Sequence, residues 1–112
     1  VARRGPGRSN NGEAWRDVAL GAGVVMRQYC RTPSQPLSVR MRRAADRYRP
    51  VHGAEKKIKD LLIGARVPQR LKNSVPLIVV GAEVIWLAGW RIAASAAVRR
   101  GDTVLRLELQ LQ

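Results

Sequence analysis

Apolar residues recur at every second position in two stretches of this chain, and no other feature constrains its fold as strongly. From Val104 to Leu111 the residues Leu105, Leu107, Leu109 and Leu111 share one face. From Leu37 to Arg42 the apolar Leu37, Val39 and Met41 alternate with Ser38, Arg40 and Arg42. A period of two belongs to a half-buried β-strand, whose successive side chains point to opposite sides. Two further runs, Trp15 to Leu20 and Val24 to Tyr29, read as short strands joined in a hairpin by Gly21-Ala22-Gly23. Thr32 to Pro36 is a loop; Pro76 to Val80 and Val84 to Leu87 are strands around a Gly81-Ala82 turn, and Gly101-Asp102 turns into the last strand.

Helical spacing interrupts the strands once. Glu55 to Ala65 carries Ile58, Leu61, Leu62 and Ala65 at i, i+3, i+4 and i+7, ended by Gly64 and Pro68. A second short helix is expected from Pro68 to Asn73, because proline suits a first helical turn. Ile92 to Val98 fits strand or short helix equally. The reading is α+β: strands, a central helix pair, strands. A chain of 112 residues makes one domain. Residues 1–12, rich in Gly, Asn and Arg, are expected to be a flexible basic tail or linker without a signal peptide's apolar core, with the folded domain over 13–112. The most apolar stretch, Val75 to Val98, is broken by Gly81, Glu83, Gly89 and Arg91, short of the roughly 20 continuous apolar residues of a membrane span.

Charge narrows the function. Lys and Arg number 21 against 8 Asp and Glu, a net charge of +13, and only Lys56, Lys57, Lys59 and Lys72 are lysines. Arginine's planar fork suits bidentate phosphate recognition, so an anionic polymer is the first partner to consider. Residues 40–72 hold eleven basic residues against three acids, whereas residues 73–112 hold four against three. Arg40 and Arg42 are expected on one strand face, with Arg43, Arg47 and Arg49 following. Lys56, Lys57 and Lys59 are expected in the first turns of the helix, where free backbone N–H groups would help them hold a phosphate.

Other residues read more plainly. Asp46 is expected to orient a guanidinium, His52 to serve a turn, Cys30 to be a buried thiol and Trp86 to be core, while Trp15 and Trp90 fit either the core or base stacking. One Cys and one His cannot build a zinc site, and a lone thiol fits a reducing compartment. No nucleophile–base set, carboxylate pair or phosphate loop appears, so no catalytic residue and no cofactor site is assigned.

The stretch Val39-Arg40-Met41-Arg42-Arg43-Ala44-Ala45-Asp46-Arg47-Tyr48-Arg49-Pro50 resembles "VRxRRxGDRxxP" in the C-terminal domain of bacterial tRNA(Ile)-lysidine synthetases. Gly53 to Leu61 resembles that family's "GxxKKLKDL", Val67-Pro68 and Val75-Pro76-Leu77 its "KVPxxxRxxxPL", and Ile85 to Ile92 its "IVWVPGxRI". The likeness covers roughly residues 37–107 in order. Ala45 replaces a usual glycine, Glu55 replaces a small residue, and Ile92 to Val98 lacks charges often found there.

The resemblance implies a small layered-sheet domain that grips an isoleucine tRNA on its acceptor-stem side. Chemistry would belong to a separate ATP-pyrophosphatase domain, which adenylates the wobble cytidine so that L-lysine displaces AMP. Its SGGxDS motif is absent here, so ATP and lysine would be partners only through that other domain, and this chain, which also begins without methionine, is expected to be part of a larger protein. The RNA-binding residues implied are Arg40, Arg42, Arg43, Arg47, Arg49, Lys56, Lys57, Lys59 and Arg91, in a cytoplasmic protein without a membrane partner. A second reading is a docking or dimerisation module, with a homodimer as one form, in which the apolar C-terminal strands make the interface and the charge is merely solvated.

Overall fold

Both alternating stretches become strands, but their partners come from distant parts of the chain. The computed structural model describes residues 11–111. In chain order its elements are α1 (Ala14–Ala19), β1 (Val24–Arg31), β2 (Leu37–Arg40), β3 (Arg47–Tyr48) and β4 (Lys56–Lys57). They continue with α2 (Ile58–Gly64), α3 (Gln69–Lys72), β5 (Leu77–Val80), β6 (Glu83–Leu87), a 3-10 turn at Ala94–Ala96 and β7 (Val104–Leu111). β1 and β7 form an antiparallel ribbon from Val24 opposite Leu111 to Arg31 opposite Val104. β2, β5 and β6 form an antiparallel three-stranded sheet, with β5 in the centre. β3 and β4 form a short ribbon that sets Arg47 opposite Lys57 and Tyr48 opposite Lys56.

One apolar core joins these pieces. Leu107 and Met26 enter it from the long ribbon, Leu77, Ile85 and Trp86 from the sheet, Ile58 and Leu62 from α2, and Trp15 from α1. The mixed helix–sheet class and the central helix pair follow the expectation, as do the hairpin around Gly81 and the last strand. The uncertain segment after Arg91 makes a short 3-10 turn, and Ala93 N–H donates to the carbonyl of Ile85 at 2.9 Å.

Three expectations need correction. The run from Trp15 is helix, not the first strand of a hairpin. Ala14, Trp15 and Val18 pack on one side into the core, and the Trp15 indole N–H donates to the Ala88 carbonyl at 2.8 Å. So short an apolar run fits either period, and this tertiary anchor decides it. Gly21, at φ +84°, therefore ends a helix: its N–H and that of Ala22 satisfy the carbonyls of Val18 and Asp17.

β2 stops at Arg40, so Arg42 lies in the following loop and the two do not share a strand face. Val39 and Met41 are exposed while Arg40 and Arg42 are half-buried, the reverse of the expected pattern. The strand lies at the sheet's edge, and its end is fixed by the ion pair of Arg40 rather than by apolar burial. Finally, Lys56 and Lys57 belong to β4, because Asp46 C=O accepts from Ile58 N–H and holds the chain extended up to that point. Only Lys59 stands in the first turn of α2, together with Asp60.

Asn11 and Gly12, at the end of the expected tail, join the fold: Gly12 N–H donates to Gly89 C=O at 3.0 Å, and Asn11 bridges Trp90. Residues 1–10 of that tail lie outside the described residues. No helix among the described residues is long and apolar enough to cross a membrane.

Candidate nucleic-acid interface

The basic residues converge on the β3–β4 ribbon and the loop that feeds it. Residues 41–46 connect β2 to β3 through a turn at Ala44-Ala45. Asp46 closes that turn in both directions, its N–H donating to Arg43 C=O at 3.0 Å and its Oδ2 accepting from Arg43 N–H at 2.6 Å. The same carboxylate takes the Arg40 fork, Nη1 to Oδ2 at 2.8 Å and Nη2 to Oδ1 at 3.0 Å. Asp46 thus orients a guanidinium as expected, from the end of β2. The side chains are only 21% and 14% exposed, so this bidentate pair is better shielded than an ordinary surface bridge.

Arg40 holds the Asp46 carboxyl below its ordinary value, with the Arg43 N–H adding to the effect against partial desolvation. A carboxylate whose folded pKa is lowered contributes stability above the unfolded range near 4, and that stability is lost as pH falls through the folded value. Acid titration of thermal unfolding should therefore show Asp46→Asn losing less stability than the parent as pH falls below the unfolded range near 4. Parallel declines would mean that the pair does not stabilise the fold.

On the ribbon, Arg47 Nε donates to Glu55 Oε2 at 2.7 Å, with both side chains about half exposed. Among the described residues, Arg42, Arg43, Arg49, Lys56, Lys57, Lys59 and Arg91 show no ion pair. Arg42 also has its Nε shielded from solvent without a hydrogen-bond partner. Arg47 and Lys57 oppose each other across two strands, where like charges disfavour the free state and suit an anion between them.

Two open clefts flank the ribbon. One, of about 670 Å³, is lined by Arg40, Asp46, Arg47, Arg49, Glu55 and Ser95, among others. The other, of about 360 Å³, brings Lys56 and Arg91 together with Arg16 and with the acids Glu13 and Asp60. Arg16 was not legible as a site residue: it lies far from residues 40–72 in sequence, in the run misread as a strand. The Tyr48 hydroxyl donates to Arg91 C=O and joins the ribbon to the segment bearing Arg91, while burial raises the Tyr48 phenol well above its ordinary value.

The remaining candidates are structural. Trp15, Trp86 and Trp90 are all buried, and the Trp86 indole N–H donates to Trp90 C=O at 2.8 Å, so none presents a face for base stacking. His52 takes φ +63° in an exposed turn. Cys30 is fully buried, and desolvation raises its thiol pKa. Among the described residues no three His, Cys, Asp or Glu side chains gather as metal ligands.

Comparison with known proteins bears on this arrangement. Residues 37–109 match the family described as TilS substrate C-terminal domain. The tRNA(Ile)-lysidine synthase of Persephonella marina is 35% identical over 74 residues, covering 64% of this chain and 16% of that protein. That of Dehalococcoides mccartyi is 37% identical over 78 residues, covering 67% of this chain and 16% of that protein. The chain therefore spans about one sixth of the length of these curated relatives. A crystal structure of a TilS C-terminal domain superposes with a TM-score of 0.63 at 23% identity, over 97% of this chain and 75% of that one, which shows a shared fold.

Proposed function

The chain belongs to the TilS substrate C-terminal domain family, and on that premise we propose that it grips tRNA for a catalytic domain not contained in the sequence. It would position an isoleucine tRNA, held on its acceptor-stem side, while ATP-dependent exchange of the wobble cytidine for lysidine proceeds elsewhere in a cytoplasmic enzyme. ATP and L-lysine would be substrates of that other domain, and this chain would need no cofactor of its own.

The observation that carries the reading is the collection of Arg42, Arg43, Arg49, Lys56, Lys57, Lys59 and Arg91, none ion-paired among the described residues, on a ribbon and its flanks. An A-form stem offers phosphates and 2′-hydroxyls rather than readable major-groove edges, so recognition by such cations is mainly of backbone and shape. Lys57 and Lys59 would hold phosphate as point charges, Arg42, Arg43 and Arg49 by their forks. Arg47 joins them when phosphate displaces Glu55. Contacts of this kind supply affinity and register with little sequence selectivity.

The test is binding of the chain to tRNA and to duplex DNA of matched length across a salt series. With ~4–6 phosphates neutralised, log affinity should fall against log salt with a slope of roughly −3 to −5, tRNA being preferred. Absence of binding at low salt would overturn the reading. The outer face of the β1–β7 ribbon, with exposed Val25, Tyr29 and Val104, favours a docking module as the second reading. Concentration-dependent dimerisation without RNA binding would support it.

A further inference from the structure

The geometry points to Asp46 as a positioning residue of the RNA grip, acting with Arg40 as a clasp that presents Arg42 and Arg43. This inference rests on the tRNA-binding reading and assigns Arg40 and Asp46 a role distinct from that of the surrounding cations.

Every hydrogen-bonding group of Asp46 is engaged. Its carboxylate takes the Arg40 fork and the Arg43 N–H, its own N–H reaches Arg43 C=O, and its C=O receives Ile58 N–H at 3.0 Å. One residue therefore ties together the end of β2, the 43–46 turn and the start of α2. Arg40 is equally committed, with Nη1 also donating to Met41 C=O at 3.1 Å. A guanidinium so occupied has few donors left for phosphate.

Between the clasp's two halves lie Met41, Arg42, Arg43, Ala44 and Ala45. The loop's two arginines have no ion pair among the described residues, and its tip consists of small residues. Without Asp46, three guanidiniums would stand within four successive positions, 40 to 43, with no counter-charge bound between them. Their repulsion and the loss of the Arg43 N–H bond would release the loop, and each contact would then cost the entropy of ordering a long side chain on a mobile backbone.

This role gives a result opposite in sign to simple electrostatics. Asp46→Asn raises the net charge by one, so if Asp46 were only an acid near a cationic patch, tRNA would bind more tightly. As a clasp, its loss should weaken tRNA binding by about 10- to 30-fold near 0.15 M salt, the effect of losing one to two phosphate contacts, and make the salt slope shallower by about 1–2. Arg40→Lys keeps the charge but not the fork, and should lose several-fold for the same reason. In a double-mutant cycle of Asp46→Asn with Arg40→Gln, the two losses should overlap rather than add.

The experiment measures tRNA affinity and salt slope for the parent chain and these variants, with thermal unfolding recorded alongside. A shallower slope in a variant still folded at the assay temperature supports the clasp, because loss of fold alone would reduce the bound fraction without selectively removing two contacts. Tighter or unchanged binding by Asp46→Asn, with the parent binding normally, overturns the clasp and leaves the tRNA reading intact. Failure of the parent to bind overturns both. If Asp46→Asn does not fold, Arg40→Lys decides: unchanged affinity and slope overturn the clasp, and a weaker, shallower response supports it.

Discussion

Reversing Arg42 and Lys57 together to glutamate should lower tRNA affinity by about two to three orders of magnitude near 0.15 M salt. Each substitution removes a cation with no ion pair among the described residues and puts an anion in its place, so up to four contacts' worth of counter-ion release is forfeited. The position of Lys57 adds to the effect. It sits directly across the ribbon from Arg47, and a glutamate there would capture that guanidinium as Glu55 does at 2.7 Å. A control with the same change in net charge reverses Arg100, in the turn that precedes β7, and Arg106, within that strand. Equal losses in the two double variants would mean that net charge, not the ribbon, binds RNA. Glu55→Gln provides the opposite arm: freeing Arg47 should tighten binding modestly.

The second large effect concerns stability. Gly89→Ala should destabilise the fold by about 2–5 kcal/mol, combining a left-handed backbone with overpacking. Gly89 has φ +97°, and an added Cβ would lie 2.7 Å from Trp15 Nε1 and 2.9 Å from its Cδ1. The indole cannot swing aside, because it is 1% exposed and its N–H is committed to Ala88 C=O. A domain with a typical total of about 5–15 kcal/mol would lose a large share of its stability, and its unfolding midpoint should fall by roughly 10–25 °C. Gly101→Ala separates the two causes: φ is +89° there but nothing lies within 4 Å, so only the smaller backbone cost should appear. Equal shifts in the two variants would remove the packing component of this account.

The alternation at Leu105, Leu107, Leu109 and Leu111 and the Gly81 hairpin were legible because each is a local pattern with one geometric solution. The central helix was legible too, but its start was placed too early, since the bond from Ile58 N–H to Asp46 C=O that keeps Lys56 and Lys57 extended is a contact between distant residues. Trp15 was misplaced for a related reason: six residues cannot display a period, and its partner at Ala88 is supplied by the far side of the core. The density of charge between residues 40 and 72 marked the region of the candidate site. It could not divide Arg40, ion-paired with Asp46, from Arg43, which is exposed and makes no ion pair among the described residues, because side-chain partnership depends on the turn at Ala44-Ala45. Nor could it bring Arg16 beside Lys56 and Arg91, since that meeting is made by the tertiary fold.

The long ribbon also governs how the domain must assemble. β1 has no strand partner until β7 is available, and nearly all the rest of the described chain lies between them. Closing so large a loop costs entropy before any ladder bond repays it, so the ribbon should form late and the search for its register should slow refolding toward the millisecond-to-second range. On the ribosome, Met26 and Cys30 would wait uncovered on β1 while the sheet and helix pair were already complete. The basic loop and short ribbon, whose contacts span far fewer residues, can therefore take shape before the strand that seals the core behind them.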